Sequence, residues 1–186
     1  MGEKSKLRRK FLTIRKSLSK QYVSDNSRLI AQRVLQSEEY KNAGTIHCYV
    51  SITENKEVHT HDLIRQCLED GKKVVVPKMA DHQKLRHIFL HSMDDLVPNH
   101  WNVPEPKTDD EANLKELDLI LVPMVAGDRF KNRVGYGKGY YDRFLSQCDS
   151  IKMGLLFSCL LNDQKIPVDP YDVPMDIIIT ETERFD

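Results

Sequence analysis

Asp118-Leu-Ile-Leu-Val-Pro123 carries four consecutive apolar residues, so a strand formed here has no polar face to turn toward water. Strands that alternate apolar and polar residues usually lie in antiparallel sheets, whereas strands of a parallel sheet are covered on both faces and lose that alternation. Lys72-Lys-Val-Val-Val-Pro77 has the same unbroken form. We therefore predict two buried strands that belong to one largely parallel sheet.

The remaining elements alternate between strand and helix patterns along the chain. Further strands are predicted at Thr45–Val50, Leu85–Leu90, Ile151–Phe157 and Asp176–Thr180, and the second of these alternates, which places it nearer an edge. Helices are predicted after Ser24 or Asp25, from Glu57 through Leu68 to a stop at Gly71, and through Tyr141 and Leu145. Strands that alternate with helices imply βαβ crossovers. We expect a single α/β domain over residues 1–186, with a mostly parallel central sheet flanked by helices.

Length and charge narrow the class of protein. The chain has 186 residues, which is enough for one domain with a proper core. It carries 28 Lys plus Arg and 28 Asp plus Glu, and this balance argues against a nucleic-acid binder, which would be basic overall. No apolar run approaches the ~18 residues that a membrane span needs. The four cysteines have no C-x-x-C spacing, so we expect free thiols in a reducing compartment and a cytoplasmic protein.

The first twenty residues allow two interpretations. Lys4–Lys20 is rich in Lys, Arg and Ser and contains no acid, which is typical of a mitochondrial transit peptide. The apolar residues of this segment instead recur at helical spacing and favour a first helix of the domain: Leu7, Phe11, Ile14 and Leu18. A second stripe beside them contains Lys4, Arg8 and Arg15. These cations either snorkel around a core helix or present Lys4 and Arg8 to an anionic ligand.

A glycine-rich stretch, Arg133-Val-Gly-Tyr-Gly-Lys-Gly-Tyr-Tyr-Asp142, holds three of the eight glycines within five residues. Glycine accepts positive φ and lets a ligand approach backbone N–H groups, and a run of such amides at a helix start binds anions. Lys138 and Arg133 add positive charge, and Asp142 adds the hard oxygen that Mg²⁺ prefers. The stretch fits neither a Walker A loop nor a Rossmann turn. It predicts a phosphate and metal loop of unassigned type, with a glycine-rich hairpin turn as the alternative.

Other polar residues carry weaker signals. His59, His61, His87 and His91 have no carboxylate or cysteine partner at metal-ligand spacing, so we expect solvated or structural histidines. Glu57 follows a strand, where ligands bind in open α/β sheets, although an acid at a helix start also complements the helix dipole. Asp176 precedes a strand and reaches Asp142 only if the fold brings the two together. No G-x-S-x-G nucleophile elbow occurs.

The glycine-rich stretch, preceded by D-L-I-L-V-P and followed by R-F-L, closely resembles the signature of the 5-formyltetrahydrofolate cyclo-ligase family. Weaker matches follow in the right order over most of the chain. They are Lys4-Ser-Lys-Leu-Arg8, the segment with Val50 and Glu57, Trp101-Asn-Val-Pro-Glu-Pro106 and Asp172-Val-Pro-Met-Asp176. The glycine signature is the specific part of this resemblance.

The resemblance implies an enzyme that uses ATP and Mg²⁺ to convert 5-formyltetrahydrofolate into 5,10-methenyltetrahydrofolate, ADP and phosphate, through an iminium phosphate on the formyl oxygen. It assigns ATP contacts to Lys4, Arg8, Arg133, Val134, Gly135, Tyr136, Gly137, Lys138, Gly139, Tyr140 and Tyr141. It assigns folate contacts to Val50, Glu57, Tyr136, Gly137, Lys138, Gly139 and Tyr140, and Mg²⁺ to Asp142 and Asp176. Catalysis would rest on Lys138, Arg133 and Asp142. The partners are then small-molecule substrates, without nucleic acid or membrane, and we expect a monomer.

Two alternatives come from other classes of protein. One is a regulator that binds a nucleotide or sugar phosphate on a similar scaffold without catalysis. The other is an RNA-binding module that uses the Lys4–Lys20 helix, and the zero net charge disfavours it.

Overall fold

The computed structural model of this chain describes residues 2–80, 84–99 and 103–186. Within these ranges the helices are α1 (Glu3–Ser17), α2 (Lys20–Gln36), α3 (Glu38–Asn42), α4 (His61–Glu69) and α5 (Tyr140–Leu145). The strands are β1 (Thr45–Cys48), β2 (Lys73–Met79), β3 (Leu85–Leu90), β4 (Leu96–Pro98), β5 (Pro104–Pro106), β6 (Leu119–Pro123), β7 (Ala126–Asp128), β8 (Arg133–Val134), β9 (Ile151–Leu155), β10 (Leu161–Asn162), β11 (Ile177–Ile179) and β12 (Arg184–Phe185).

A seven-stranded sheet in the order β12-β11-β9-β6-β1-β2-β3 forms the centre of the molecule. The five inner strands run parallel to one another, as the unbroken apolar runs predict. Every residue of β1 is buried, because α/β crossovers cover both faces of the inner strands. The expectation of a mostly parallel α/β sheet is confirmed.

The two edge strands run against the rest of the sheet. β3 pairs antiparallel with β2 over six residues, and β12 pairs antiparallel with β11. The alternating Leu85–Leu90 pattern therefore belongs to an edge strand, as predicted, and its bounds are those of β3.

Short strands beside the main sheet position the glycine-rich stretch. β7 and β8 form an antiparallel hairpin in which Gly127 pairs with Arg133. The turn between them depends on Asp128, which is fully buried and whose carboxylate accepts hydrogen bonds from the backbone N–H groups of Phe130 and Asn132 at 2.9 Å. Because β8 ends at Val134, the hairpin fixes the position of the backbone from which the glycine-rich loop starts.

The proline-bearing middle segment contains the two-stranded pairing of β4 with β5. Of the Trp101–Pro106 motif, Trp101 and Asn102 lie outside the described residues, and Pro104–Pro106 is β5. Strands of three residues lie below what an apolar pattern can indicate, so sequence reasoning left this region irregular.

The first helix packs on the core through its apolar stripe. Phe11 is buried, and Leu7, Ile14 and Leu18 pack partly buried against the core. This confirms the helix interpretation of the basic N-terminal segment. None of the helices in the described ranges is long and apolar enough to cross a membrane.

The second helix begins earlier than its predicted start after Ser24 or Asp25. Ser19 caps it, because the Ser19 hydroxyl accepts a hydrogen bond from the Tyr22 backbone N–H at 3.0 Å. The additional turn is held by Val23, which is buried. The sequence pattern missed this turn because the prediction rests on the apolar residues Leu29, Ile30, Val34 and Leu35, and Val23 stands six residues before the first of them.

Two buried histidines lie between the sheet and α5. The His87 Nδ1 and His47 Nε2 atoms are 3.1 Å apart, and the His87 ring stacks on Phe144 with a centroid distance of 4.0 Å. Burial lowers the pKa of His87 to about 4, partly opposed by the negative charge of Glu111. Burial also lowers the pKa of His47 well below its usual value, with help from His87. This agrees with the structural role expected for His87.

We predict that His87 makes the protein less stable in mild acid. In the unfolded chain His87 takes up its proton near pH 6.5, and in the folded chain only near pH 4. The contribution of neutral His87 to the free energy of unfolding is therefore fully present above pH 6.5 and is lost as the pH falls from 6.5 toward 4. Urea unfolding of His87→Gln over this range should reduce the slope of unfolding free energy against pH by up to about 1.4 kcal/mol per pH unit. The matched control is His91→Gln, because the His91 side chain is exposed. Equal slopes in the two variants would contradict the prediction.

Candidate active site

A cavity of about 1120 Å³ opens where β1, β2 and β6 end. Ligands of open α/β sheets bind outside the carboxyl ends of the strands, and this cavity occupies that position. Its walls also include the start of α1, the glycine-rich stretch and residues 169–173. The volume exceeds the ~1,000 Å³ at the upper end for a single small-molecule site, so two substrates can fit side by side.

The glycine-rich stretch passes from β8 to α5 through left-handed backbone. Gly137 has φ +88° and Gly139 has φ +67°, conformations that favour glycine. Gly139 is the N-cap residue of α5, which has only six residues. Left-handed backbone thus occurs at two of the three glycines of the stretch. The helix that follows is too short to contribute much dipole.

Arg8 of α1 contacts this loop directly and lines the cavity beside it. Its Nε donates a hydrogen bond to the carbonyl oxygen of Gly135 at 2.7 Å. Its guanidinium lies so close to Gly137 that an added Cβ would come within 2.8 Å of Cζ. Of the two interpretations of the basic stripe, the structure supports the one in which Lys4 and Arg8 face a cavity.

Arg133 and Asp142 form an ion pair at the base of the loop. Arg133 Nη2 lies 2.6 Å from Asp142 Oδ1, and Arg133 is buried while the Asp142 side chain is 25% exposed. The Val173 backbone N–H reaches the same carboxylate at 3.4 Å. Among the described residues, Arg133 Nε and the Tyr141 hydroxyl are buried polar groups that have no hydrogen-bond partner. Burial raises the pKa of Tyr141, so its hydroxyl stays protonated.

Lys4 is paired with two aspartates from the C-terminal part of the chain. Its Nζ contacts Asp172 closely and lies 3.5 Å from Asp169 Oδ2. The Lys4 and Asp172 side chains are 17% and 21% exposed, so this pair is shielded but still faces the cavity. Residues 4 and 172 thereby bring the two ends of the chain together at one wall.

The structure does not bring Asp176 to Asp142, which corrects the predicted metal pair. Asp176 directly precedes β11, and its carboxylate accepts a hydrogen bond from the Lys152 backbone N–H at 2.8 Å, at the amino end of β9. The cavity lies at the carboxyl ends of the parallel strands, on the opposite edge. Asp172, four residues earlier, is the aspartate that lines the cavity with Asp142. Strand direction was the signal that could have found it, because a residue just before a parallel strand lies on the wrong edge.

Asp142 and Asp172 form a donor set that fits a nucleotide-bound Mg²⁺. In the described part of the chain, no group of three or more His, Cys, Asp or Glu side chains could hold a metal ion. Mg²⁺ is commonly held by one or two carboxylates together with substrate phosphates, rather than by an all-protein cage. Two cavity-facing carboxylates beside a phosphate-type loop meet that requirement.

Glu57 lies in the loop before α4, which corrects its predicted place at the start of a helix. Helix α4 begins at His61. Glu57 is buried from bulk solvent but lines the cavity. Its Oε2 accepts a hydrogen bond from the Ile52 backbone N–H at 2.8 Å. Val50, at the end of the same strand and loop unit, also lines the cavity. The predicted folate residues Val50 and Glu57 thus lie in one wall.

Tyr136 joins the glycine loop to that wall. Its hydroxyl donates to Glu57 Oε1 and accepts a hydrogen bond from Arg15 Nη2 at 2.6 Å. Although Tyr136 as a whole is 44% exposed, burial of its hydroxyl end and the charge of Glu57 raise its pKa. Arg15 is the functional candidate that sequence reasoning missed, although it stood in the same stripe as Lys4 and Arg8.

The remaining loop residues divide into cavity and core positions. Lys138 is exposed, and Gly139, Tyr140 and Tyr141 line the cavity. Val134, which was predicted to contact ATP, is fully buried and is not part of the cavity wall. Its carbonyl oxygen already accepts a hydrogen bond from the Val125 backbone N–H at 2.8 Å, so Val134 belongs to the hairpin that supports the loop.

Comparison with known proteins places this geometry in context. A family model described as the 5-formyltetrahydrofolate cyclo-ligase family matches residues 1–181. The 5-formyltetrahydrofolate cyclo-ligase of Escherichia coli strain K12 is 30% identical over 176 residues, which cover 91% of this chain and 95% of that protein.

Solved structures are similar over nearly the whole chain. The 5,10-methenyltetrahydrofolate synthetase of Aquifex aeolicus has a TM-score of 0.87 and 30% sequence identity, with 98% of this chain and 91% of that chain covered. A 5,10-methenyltetrahydrofolate synthetase from Mycoplasma pneumoniae has a TM-score of 0.77 and 25% identity, with 97% and 99% covered. The likeness therefore includes both the sheet and the segments that form the cavity.

We predict that Gly137→Ala lowers the free energy of unfolding. An alanine at φ +88° costs about 1–2 kcal/mol, and its Cβ would also displace the Arg8 guanidinium. Urea unfolding measures the change. Gly44→Ala is the matched control, since a Cβ there would make an ordinary contact of 3.5 Å with Asp118, and its effect should stay within about 0.5 kcal/mol. A loss in Gly137→Ala no larger than in the control would refute the strained contact.

Proposed function

This chain belongs to the 5-formyltetrahydrofolate cyclo-ligase family and is an enzyme of that class, and we propose that it converts 5-formyltetrahydrofolate and ATP into 5,10-methenyltetrahydrofolate, ADP and phosphate. The observation that carries the proposal is the cavity of about 1120 Å³, in which a cationic glycine loop and the Glu57 carboxylate line one space. Such a cavity suits one polyanionic and one N–H-donating substrate. Family membership also sets aside a regulator without catalysis.

The nucleotide occupies the half of the cavity near α1 and the glycine loop. Lys4, Arg8 and Arg133 bring positive charge to this half, and Lys138 stands exposed at the loop. The left-handed turns at Gly137 and Gly139 leave room for phosphate oxygens to approach the backbone. Phosphoryl transfer needs positioning and charge neutralisation more than covalent help, and these groups supply both.

Asp142 and Asp172 would hold the Mg²⁺ that accompanies the nucleotide. When bound, Mg²⁺ neutralises charge on the phosphate oxygens and orients them. Both carboxylates are paired with cations in the structure, Asp142 with Arg133 and Asp172 with Lys4. Arg133 and Lys4 would pair with the phosphates of ATP if Asp142 and Asp172 served as metal ligands.

The folate occupies the other half, against Val50 and Glu57. The Glu57 carboxylate can accept hydrogen bonds from the N–H donors of the pterin ring. A site that is built to pair such donors rejects analogues that lack them, because its own buried polar group is then left unpaired. Tyr136 lies between the two halves, and its hydroxyl is bonded to Glu57 on the folate side.

The order of bond changes follows from a poor leaving group. The formyl oxygen cannot be expelled directly when the neighbouring amine nitrogen attacks the formyl carbon. Transfer of the terminal phosphoryl group breaks the bond from phosphorus to ADP and forms a bond to the formyl oxygen, which gives an iminium phosphate. The amine nitrogen then attacks the formyl carbon and loses its proton to solvent, and the carbon–oxygen bond breaks with release of phosphate. Arg133, Lys138 and Arg8 hold the transferring phosphoryl group during these steps.

The expected monomer and the expected cytoplasmic location stay predictions. The four cysteines are free, as the sequence indicates, with Cys48, Cys67 and Cys148 buried and Cys159 exposed. Small-molecule substrates agree with the family to which the chain belongs.

We predict that the purified protein forms methenyl product and ADP in equal amounts when it is given ATP, Mg²⁺ and 5-formyltetrahydrofolate. The product is followed by absorbance and the ADP by a coupled assay. Leaving out ATP, Mg²⁺ or the folate should each abolish turnover. No turnover by well-folded protein would overturn the proposed function.

We predict that Asp172→Asn and Asp176→Asn have different effects on Mg²⁺ dependence. Asp172→Asn should raise the Mg²⁺ concentration for half-maximal rate by tenfold or more, because a neutral amide is a poorer ligand than a carboxylate. Asp176→Asn is the matched control and should behave as the unaltered protein, since Asp176 lies at the other edge of the sheet. If Asp176→Asn raised the Mg²⁺ requirement and Asp172→Asn did not, Asp172 would lose its role.

A further inference from the structure

Arg15, Tyr136 and Glu57 form a continuous hydrogen-bonded chain from α1 to the folate side of the cavity. We propose that Arg15 is a positioning residue which, through the Tyr136 hydroxyl, holds the Glu57 carboxylate in the orientation that binds the pterin. The inference rests on the proposed function, because it concerns how the same site recognises its folate. It adds a residue whose side chain never touches the substrate.

The direction of each hydrogen bond in this chain is fixed by the chemistry of its members. Arg15 has only donors, so the 2.6 Å bond between Arg15 Nη2 and the Tyr136 oxygen is donated by Arg15. A phenol has a single proton, and that proton must then be directed to Glu57 Oε1. Arg15 thereby determines which way the Tyr136 hydroxyl points, and the hydroxyl determines where Glu57 Oε1 lies.

Glu57 is held at both oxygens and still has capacity for a ligand. Oε1 accepts from Tyr136, and Oε2 accepts from the Ile52 backbone N–H at 2.8 Å. A carboxylate has about four lone-pair sites, so about one on each oxygen stays open. Two neighbouring N–H donors of a pterin match such a pair, in the way that a forked donor matches a carboxylate.

The burial of Arg15 stabilises the hydrogen bonds from Arg15 through Tyr136 to Glu57. Arg15 is 2% exposed, and burying a guanidinium is costly unless hydrogen bonds and opposite charge compensate it. Its guanidinium carbon lies 5.2 Å from the centre of the Tyr136 ring, and Nη1 lies 3.5 Å from the Met124 carbonyl oxygen. Glu57 supplies the opposite charge across the phenol. The cation and the carboxylate are therefore held in place by each other.

A second anchor fixes the loop that carries Glu57 to the same helix. Lys56 has φ +51° and its Nζ bonds to the carbonyl oxygens of Lys16 and Leu18, at the end of α1. The residue before Glu57 is thus bonded to the end of α1, and the side chain of Glu57 is linked to Arg15 of α1 through Tyr136. This arrangement requires Arg15 to act on the folate half of the cavity, in contrast to Arg8.

The test separates binding of the folate from binding of the nucleotide. Tyr136→Phe removes only the hydroxyl and keeps the ring, and Arg15→Met removes the charge at similar length. Each should raise the KM for 5-formyltetrahydrofolate by about tenfold or more, with kcat changed far less, because a hydrogen bond to a charged group is lost. The KM for ATP should stay within twofold, and Arg15→Lys should restore part of the folate affinity. Arg9→Met is the control, since Arg9 is exposed on the same helix.

A double variant tests whether Arg15 works through Tyr136. If it does, Arg15→Met combined with Tyr136→Phe raises the folate KM no further than Tyr136→Phe alone. Multiplied effects in the double variant, or an equal rise in the KM for ATP, would overturn the inference. Should Arg15→Met fail to fold, an unchanged folate KM in Tyr136→Phe would overturn it equally well. Turnover by the unaltered protein and by Arg9→Met reports on the proposed function separately.

Discussion

The close contact between Arg8 and the glycine loop is the interaction on which the rest of the cavity depends. It joins residues 127 positions apart, with Arg8 Nε bonded to the Gly135 carbonyl oxygen and the guanidinium packed on Gly137. Only a residue without a Cβ leaves space for that guanidinium and accepts φ +88°. The loop therefore has its shape because α1 lies on it, and the first and last thirds of the chain must fold together to make one wall.

Several charged side chains that line or support the cavity are paired with one another. Lys4 is paired with Asp172, Arg133 with Asp142, and Arg15 with Glu57 through a phenol. Lys4 and Arg133, which would bind phosphate, are thus neutralised by Asp172 and Asp142, which would bind the metal. This pairing offsets the cost of keeping several ionised side chains in a partly buried cavity. Under the proposed function, the nucleotide and its metal exchange partners with these pairs and need not find bare charges.

The parallel sheet and the glycine-rich loop could be predicted from the sequence, because each depends on a pattern of neighbouring residues. Unbroken apolar runs predicted the parallel strands, and the clustered glycines predicted a loop, in which the structure has left-handed backbone at Gly137 and Gly139. The predicted pairing of Asp176 with Asp142 is not found, because it depends on the edge of the sheet at which a residue lies, and strand direction sets that edge. The link from Arg15 to Glu57 was out of reach, since it joins three segments that no spacing rule connects.

Helix α1 also sets the distance between Arg8 and Arg15, which contact different parts of the site. Under the proposed function, Arg8 reaches the nucleotide side and Arg15 the folate side. Seven residues turn a helix by about 20° less than two full turns. The two side chains therefore share a face at a separation of about 10 Å along the axis. Inserting or deleting one residue between them would rotate Arg15 by about 100° away from Tyr136 while Arg8 kept its place. A single-residue change in length would therefore break the bond from Arg15 to Tyr136 while the bond from Arg8 to Gly135 stayed intact.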